Sequence, residues 1–129
     1  MGDYTSIRGW IGCRDSMVEP IREVIRRAPE RAEQMEMSRD QAEFYNQGWV
    51  VPDDHINWTH YLFYGADVRT YYSGYIRAQL EEIAQLSEQD YEFVDYPEGA
   101  FYVDDDGGAG ERRVIWILRD GELLEYEQP

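Results

Sequence analysis

Residues 100–126 read AFYVDDDGGAGERRVIWILRDGELLEY, and this stretch predicts three consecutive antiparallel strands. Two runs rich in apolar and aromatic residues, at 100–104 and 113–118, flank a turn-rich segment at 105–110. That arrangement is typical of a hairpin with a flexible tip. An Asp-Gly pair then turns the chain into a short strand at 122–126, so the last third of the sequence predicts a three-stranded meander.

Two segments upstream of the meander also predict strands. Residues 4–13 (YTSIRGWIGC) alternate, so that one set of side chains faces one side of a sheet while Tyr4, Arg8 and Trp10 face the other. Residues 57–64 (NWTHYLFY) are aromatic and β-prone, and they predict a second main strand that stops at Gly65. In the 4–13 strand, the side chains on the face opposite Tyr4, Arg8 and Trp10 are those of Thr5, Ile7, Gly9, Ile11 and Cys13.

The segment after the first strand predicts a helix. Ser16 and Glu19 have the spacing of a capping box, and apolar residues then repeat with helical spacing to about Pro29. Alternatively, Glu19 is the cap and Pro20 takes the first helical position, where the missing backbone N–H costs no hydrogen bond.

Two more helices are expected further along the chain. Ser38 predicts the N-cap of a short helix that ends before Gly48. Asp67 predicts the N-cap of the most regular helix, in which apolar residues repeat at intervals of three and four up to Ile83. These apolar residues are Val68, Tyr71, Tyr72, Tyr75, Ile76, Leu80 and Ile83.

The order of these elements predicts an α+β fold. It indicates an antiparallel or mixed sheet of about five strands with two or three helices on one face. We expect residues 1–129 to form a single domain, because a hydrophobic content of 43% suffices for a core that needs no disulfide or metal ion to stabilise it. Trp116 is expected in that core with Val114 and Leu118. The one cysteine, Cys13, allows no internal disulfide and is interpreted as a small buried hydrophobe.

The chain is strongly acidic, with a net charge of −15 over 129 residues, and its aromatic content is 15%. Residues 51–129 hold eighteen acids against five Arg, whereas residues 1–50 are nearly balanced. Such a surface repels nucleic acid and attracts basic surfaces, so the expected partner is a basic protein and not a nucleic acid. The predicted partner-binding residues are Glu88, Asp90, Glu92, Asp95, Glu98, Asp104, Asp105 and Asp106.

We expect neither a membrane span nor a secretory leader. The sequence has no apolar run that approaches the roughly 20 residues needed to cross a bilayer. Its first residues lack the basic and apolar regions of a signal peptide. The expected location is therefore the cytoplasm, with no membrane partner.

The polar clusters predict no metal or cofactor site. His55 and His60 are five residues apart, a spacing that no common zinc site uses. Residues 104–106 precede Gly107 as in a calcium loop, but Tyr102 stands where an EF-hand needs its first acidic ligand. We expect residues 104–106 to lie instead at a solvated hairpin tip.

Four segments resemble small bacterial immunity proteins, which accompany polymorphic toxins. They are YTSIRGW at 4–10, NWTHYLFYGADVR at 57–69, GAFYVDDDG at 99–107 and WILRDGEL at 116–123. These segments are strand and turn patterns, so the resemblance implies no active-site residue. It implies a cytosolic inhibitor that binds a cognate toxin, often a basic nuclease.

Three functions follow from these observations. The first is a non-enzymatic acidic protein that binds and inhibits a basic protein such as a toxin. The second is a phage-type anti-defence protein whose carboxylates mimic the phosphates of DNA. The third is a small enzyme that acts through buried carboxylates or His60.

Overall fold

Residues 3–106 and 112–129 of the computed structural model are described here, and they form two antiparallel sheets with three α-helices. The strands are β1 (Tyr4–Cys13), β2 (Trp49–Val50), β3 (His60–Arg69), β4 (Glu88–Asp90), β5 (Phe93–Asp95), β6 (Glu98–Asp106), β7 (Arg113–Arg119) and β8 (Glu122–Glu127). The helices are α1 (Val18–Arg27), α2 (Arg39–Asn46) and α3 (Ser73–Ala84). Short 3-10 segments span Asp15–Met17, Ala28–Met35 and Thr70–Tyr72.

The main sheet has the strand order β2-β3-β1-β6-β7-β8, and β4 and β5 pair separately. The α+β prediction is confirmed. Every strand pairing is antiparallel, so of the two predicted alternatives, an antiparallel or a mixed sheet, the structure has the antiparallel sheet. The predicted meander is confirmed as β6, β7 and β8. Residues 107–111, which include most of its predicted flexible tip, lie outside the described residues.

Strand β1 lies at the centre of the main sheet, between β3 and β6. Its predicted alternation is confirmed, since Ile7, Ile11 and Cys13 are buried on one face. On this face β6 approaches β1 closely at Gly9, where a Cβ would lie 2.1 Å from the carbonyl oxygen of Ala100. Glycine at this position therefore permits the central pairing.

The predicted boundary between the second main strand and the helix that was expected to begin after Asp67 is wrong. Strand β3 begins at His60 and continues through Gly65 to Arg69. Asp67 is not an N-cap, because it pairs with Ser6 of β1. The register with β1 explains the difference: ten residues of β1 offer backbone partners, and the chain follows them to Arg69 before α3 begins.

Tyr71 was expected in the apolar stripe of that helix, but it is exposed. It lies in the 3-10 segment before α3, where its ring meets Tyr72 edge-on at 5.0 Å. Its hydroxyl donates a hydrogen bond of 2.6 Å to Glu36. The helical spacing of Tyr71 is therefore a coincidence of sequence rather than a mark of the core.

Both predicted starts of the first helix are also wrong. Ser16 lies in a 3-10 turn, and its hydroxyl donates to Glu88 while Met17 takes the N-cap position. Pro20 is the third residue of α1, where the first-turn N–H groups have no intrahelical acceptor and proline costs nothing. The cap of α2 is confirmed, since the Ser38 hydroxyl accepts a 3.1 Å hydrogen bond from the Gln41 backbone N–H.

The hydrophobic core lies between the helices and one face of the main sheet. Trp116 is buried there with Val114 and Leu118, as expected. No helix within the described ranges is long and apolar enough to cross a membrane. Other large buried side chains are Ile7, Ile11, Ile21, Leu62, Tyr75, Ile76, Leu80, Ile83 and Phe101.

Candidate protein-binding surface

The face of the main sheet opposite the helices is uncovered, and it is rich in aromatic side chains. Because side chains alternate along a strand, each core residue of β1, β3, β6 and β7 has outward neighbours. We call this surface the open face. Its members are Tyr4, Trp10, Tyr61, Phe63, Tyr102, Ile115, Ile117, Leu124 and Tyr126, and its six aromatic side chains each expose between 40% and 48% of their area.

A continuous row of apolar residues crosses the open face. In the strand register Phe63 lies opposite Trp10, Trp10 opposite Ala100, and Ala100 opposite Ile117. Val50 of β2 extends the row at one edge, and at the other edge Leu124 of β8 pairs with Ile117. Val50, Phe63 and Trp10 are exposed, and the other three members are half-buried. Exposed apolar side chains grouped in this way are typical of a surface that another molecule covers.

Arg8 lies beside this row and binds the neighbouring strand. Its guanidinium contacts the Asp104 carboxylate at 2.7 Å and lies 5.9 Å from the ring centre of Tyr102. Partial burial raises the pKa of Asp104, but the hydrogen bonds from Arg8 and Gln128 outweigh that effect, so the pKa lies below its ordinary value. Asp104 is therefore negatively charged and already neutralised in part by Arg8.

A groove of about 460 Å³ lies at the opposite end of the open face. One wall carries Trp10, Trp58 and Tyr61, and the rings of Trp10 and Tyr61 meet edge-on at 5.8 Å. The other wall carries Asp95, Tyr96 and Glu98. We call it the aromatic groove, and its remaining lining residues are Gly12, Cys13, Arg14, Met17 and Thr59.

Arg14 attaches the β4–β5 hairpin to the end of β1. Its guanidinium binds Asp95, lies 3.1 Å from Asp90 and lies 3.8 Å from Glu88. Desolvation lowers the pKa of Arg14, but its hydrogen bonds and attraction to Asp90 and Asp95 prevail and raise it. Three of the predicted partner-binding acids thus share one internal cation.

The predicted acidic residues do not form one continuous surface. Five of them lie in or beside the β4–β5 hairpin and at the start of β6, whereas residues 104–106 lie at the other end of β6. At about 3.3 Å per residue, the eight steps from Glu98 to Asp106 span roughly 26 Å. The five are Glu88, Asp90, Glu92, Asp95 and Glu98, and they lie at the opposite end of the open face from Asp104 and Asp106, whereas the Asp105 side chain is on the Thr5 side of the sheet.

The expectation that residues 104–106 lie at a hairpin tip is wrong. All three belong to β6 and pair with Tyr4, Thr5 and Ser6 of β1. The Asp105 carboxylate accepts a 2.8 Å hydrogen bond from the buried Thr5 hydroxyl. The strands extend further than the sequence pattern indicates because β1 supplies backbone partners on that side.

The two histidines lie close together in different environments. The side chain of His60 is 1% exposed, and its nitrogens lie 2.7 Å from the Pro52 carbonyl oxygen and 3.2 Å from Asp15. Since both nitrogens already face protein acceptors, His60 has no free nitrogen to offer a substrate. His55 is a loop residue, as predicted, with its ring centre 5.6 Å from that of His60.

Residues 3–106 and 112–129 offer little support for a nucleophilic thiol, a buried catalytic carboxylate or a metal site. Burial, with a smaller contribution from Asp15, raises the pKa of the Cys13 thiol to about 11, which suppresses its nucleophilic form. Across the described ranges no carboxylate is buried. In the same ranges no three His, Cys, Asp or Glu side chains converge as a metal site would require.

Sequence reasoning missed the aromatic groove and the apolar row. One signal was present, because the alternation in residues 4–13 already assigns Tyr4, Arg8 and Trp10 to the face away from the core. Which face the helices cover depends on contacts distant in sequence. The β4–β5 hairpin gave no comparable signal, since each strand has only three residues.

The chain has no significant match among known protein families, curated proteins or solved structures. The resemblance to immunity proteins therefore stays a prediction.

Proposed function

We propose that this protein is a non-enzymatic inhibitor that binds a basic protein, such as a bacterial toxin, on the open face of its main sheet. The observation that carries the proposal is the apolar row from Val50 to Leu124, which crosses all six strands of the main sheet, together with the six half-exposed aromatic side chains on β1, β3, β6 and β8. Tyr and Trp are enriched in protein interfaces, because they bury large areas at a small entropy cost.

The charge of the chain supports a basic partner. The net charge is −15, and acidic residues lie at both ends of the open face. Charges on the rim of an interface chiefly accelerate the encounter of the partners, while the apolar centre supplies most of the affinity. In this proposal the predicted acidic residues steer the partner, and the aromatic residues between them hold it.

The other two functions receive less support from the surface. A mimic of DNA needs carboxylates spaced along the binding face, but Asp104 is paired with Arg8 and the centre of the face is aromatic. An enzyme would need a reactive group, and His60 is enclosed by Pro52 and Asp15. An inhibitor of a toxin would work in the cytoplasm, which is where we propose that this protein acts.

Affinity capture with matched baits tests the proposal. The tagged wild-type protein is incubated with lysate of its native cell, and bound proteins are identified after washing at graded salt. A second bait carries Phe63→Ser, which makes the apolar row polar at an exposed position. A third carries Phe44→Ser, a matched change at an exposed phenylalanine on α2 in the helical layer.

We expect the wild-type and Phe44→Ser baits to retain one basic protein in near-equal amount and the Phe63→Ser bait to lose it. The recovered protein should lose its own activity when the wild-type protein is added in equimolar amount. Retention by all three baits would place the site elsewhere. Recovery of acidic proteins alone would contradict the proposed partner.

A further inference from the structure

We propose that the aromatic groove holds an arginine side chain of the partner. This inference rests on the proposed function, because it names the group by which a basic protein would be recognised at one end of the open face. It concerns a site formed by Trp10, Trp58, Tyr61, Tyr96 and Glu98.

The walls of the groove offer aromatic rings to a cation. Trp58 is 83% exposed, so its indole faces solvent although burial would be favourable for so large a side chain. Trp10 and Tyr61 stand beside it, with their rings edge-on at 5.8 Å. A guanidinium group binds the face of such rings by cation–π attraction, and tryptophan is the strongest partner. A planar guanidinium also stacks on aromatic rings, which favours arginine over lysine.

The charge of the groove is also suited to a cation. Within the described residues Glu98 has no ion-pair partner, and it lies on the wall opposite Trp58 and Tyr61. The one cation in the lining, Arg14, is already surrounded by Asp95, Asp90 and Glu88. Three carboxylates thus share a single guanidinium and Glu98 adds a fourth negative charge, so the excess attracts a second guanidinium.

The shape of the groove admits a side chain. Its volume of about 460 Å³ falls in the range of roughly 300–1,000 Å³ found for ligand pockets. Gly12 lies between the walls, where a Cβ would come within 3.1 Å of the Tyr61 ring and narrow the space. At Gly121, in the turn before β8 with a φ of +83°, a Cβ would lie 3.0 Å from the Tyr96 ring, so glycine leaves room for that ring.

Tryptophan indole signals give a direct readout of binding. The probe is Nα-acetyl-L-arginine amide, titrated into the 15N-labelled full chain at constant ionic strength. We expect the indole N–H signals of Trp10 and Trp58 to shift and saturate. The signals of Trp49 and Trp116 should stay in place, because both indoles are hydrogen-bonded on the covered side of the sheet.

The neutral analogue Nα-acetyl-L-citrulline amide separates charge from shape. It has nearly the same size and planar shape as the arginine probe, but a carbonyl oxygen replaces one amino group and the positive charge is absent. We expect it to bind about three- to tenfold more weakly, which is the loss of a cation–π contact. Equal binding of the two probes would overturn the inference.

Two variants localise the site, each with a matched control. Glu98→Gln should weaken arginine binding about two- to fivefold, whereas Glu33→Gln, an exposed acid in the helical layer, should not change it. Trp58→Ala should weaken binding about three- to tenfold, and Phe44→Ala should have no effect. Both Trp58 and Glu98 are exposed, so neither change removes core packing.

The outcomes distinguish this inference from the proposed function. If the arginine probe fails to shift Trp10 and Trp58 while a basic protein still binds the open face, the inference is wrong and the function stands. If the probe binds as described but no basic protein is captured, the groove is a cation site and the proposed function is wrong. Shifts of all four indole signals would indicate non-specific binding and contradict the inference.

Discussion

The indole Nε1 of Trp116 donates a 2.9 Å hydrogen bond to Oε1 of Glu125, its direct partner across β7 and β8. Arg77 of α3 lies over the same indole at 5.4 Å and contacts the same carboxylate at 2.7 Å. Arg112 binds the other carboxylate oxygen. These contacts connect the helical layer to the last strand of the main sheet, so they bear on the stability of the whole fold.

Replacing Trp116 by alanine should destabilise the protein by about 3–5 kcal/mol, because it leaves a cavity in the core and removes the donor to Glu125. The measurement is the free energy of unfolding in urea. Trp58→Ala is the matched control, and its exposed indole should contribute less than about 0.5 kcal/mol to stability. Similar losses for the two variants would contradict the assignment of Trp116 to the core.

The pH dependence of stability should report on Glu125. The hydrogen bond from Trp116 lowers its pKa most, burial opposes this, and Arg77 and Arg112 lower it further, so the pKa lies below the ordinary value of 4.5. A lowered pKa in the folded state gives stability that is present above the unfolded value and is lost as the pH falls. Glu125→Gln should therefore be less stable than the wild type at pH 7, and the difference should shrink below about pH 4.5. A difference that is constant with pH would contradict this.

The Cys13 thiol should be inert in the folded protein. Its pKa is raised from 9.0 to about 11, chiefly by burial, so little thiolate exists at pH 8. A thiol reagent should modify Cys13 only as fast as the chain opens, and the rate should rise with the unfolded fraction in urea. Because the folded pKa is the higher one, the thiol's contribution to stability is complete below pH 9 and is lost toward pH 11. Rapid modification at pH 8 without denaturant would show that the thiol is accessible.

The acids at the end of β6 should contribute unequally to stability. Asp105→Ala removes the charged acceptor of the buried Thr5 hydroxyl, leaves that hydroxyl with Thr70 alone and should cost about 1–2 kcal/mol. Asp106→Ala, at an exposed position on the same strand, should change stability by less than about 0.5 kcal/mol. Chemical unfolding of both variants measures this, and equal effects would contradict the different environments described for the two carboxylates.

Local patterns predicted the parts of the fold that local chemistry determines. Three local predictions are confirmed: the alternation of residues 4–13, the meander from 100 to 126 and the Ser38 cap. Each depends on interactions between residues only a few positions apart in the sequence. The end of β3 could not be predicted in this way. Val68 fits a helical stripe and a strand equally well, and its pairing with Thr5 of β1 decides between them.

The candidate surface was harder to predict than the fold. Charge indicated a basic partner and selected the acids in residues 88–106, but charge does not reveal which carboxylates are paired with Arg8 or Arg14. Those pairs join residues more than seventy positions apart. The open face is likewise a result of tertiary structure, since an aromatic residue such as Tyr102 is exposed only because the helices pack on the other side.

The most direct test of the central claim is the dissociation constant of the captured basic protein for three forms of this chain. Tyr102→Ala changes the middle of the open face, and Tyr71→Ala makes the same change at an exposed tyrosine in the helical layer. We predict that Tyr102→Ala weakens binding at least about tenfold, as expected for an aromatic residue at the centre of an interface, and that Tyr71→Ala stays within about twofold of the wild type. Unchanged binding of Tyr102→Ala, or a larger loss for Tyr71→Ala, would contradict the assignment of the open face as the binding surface.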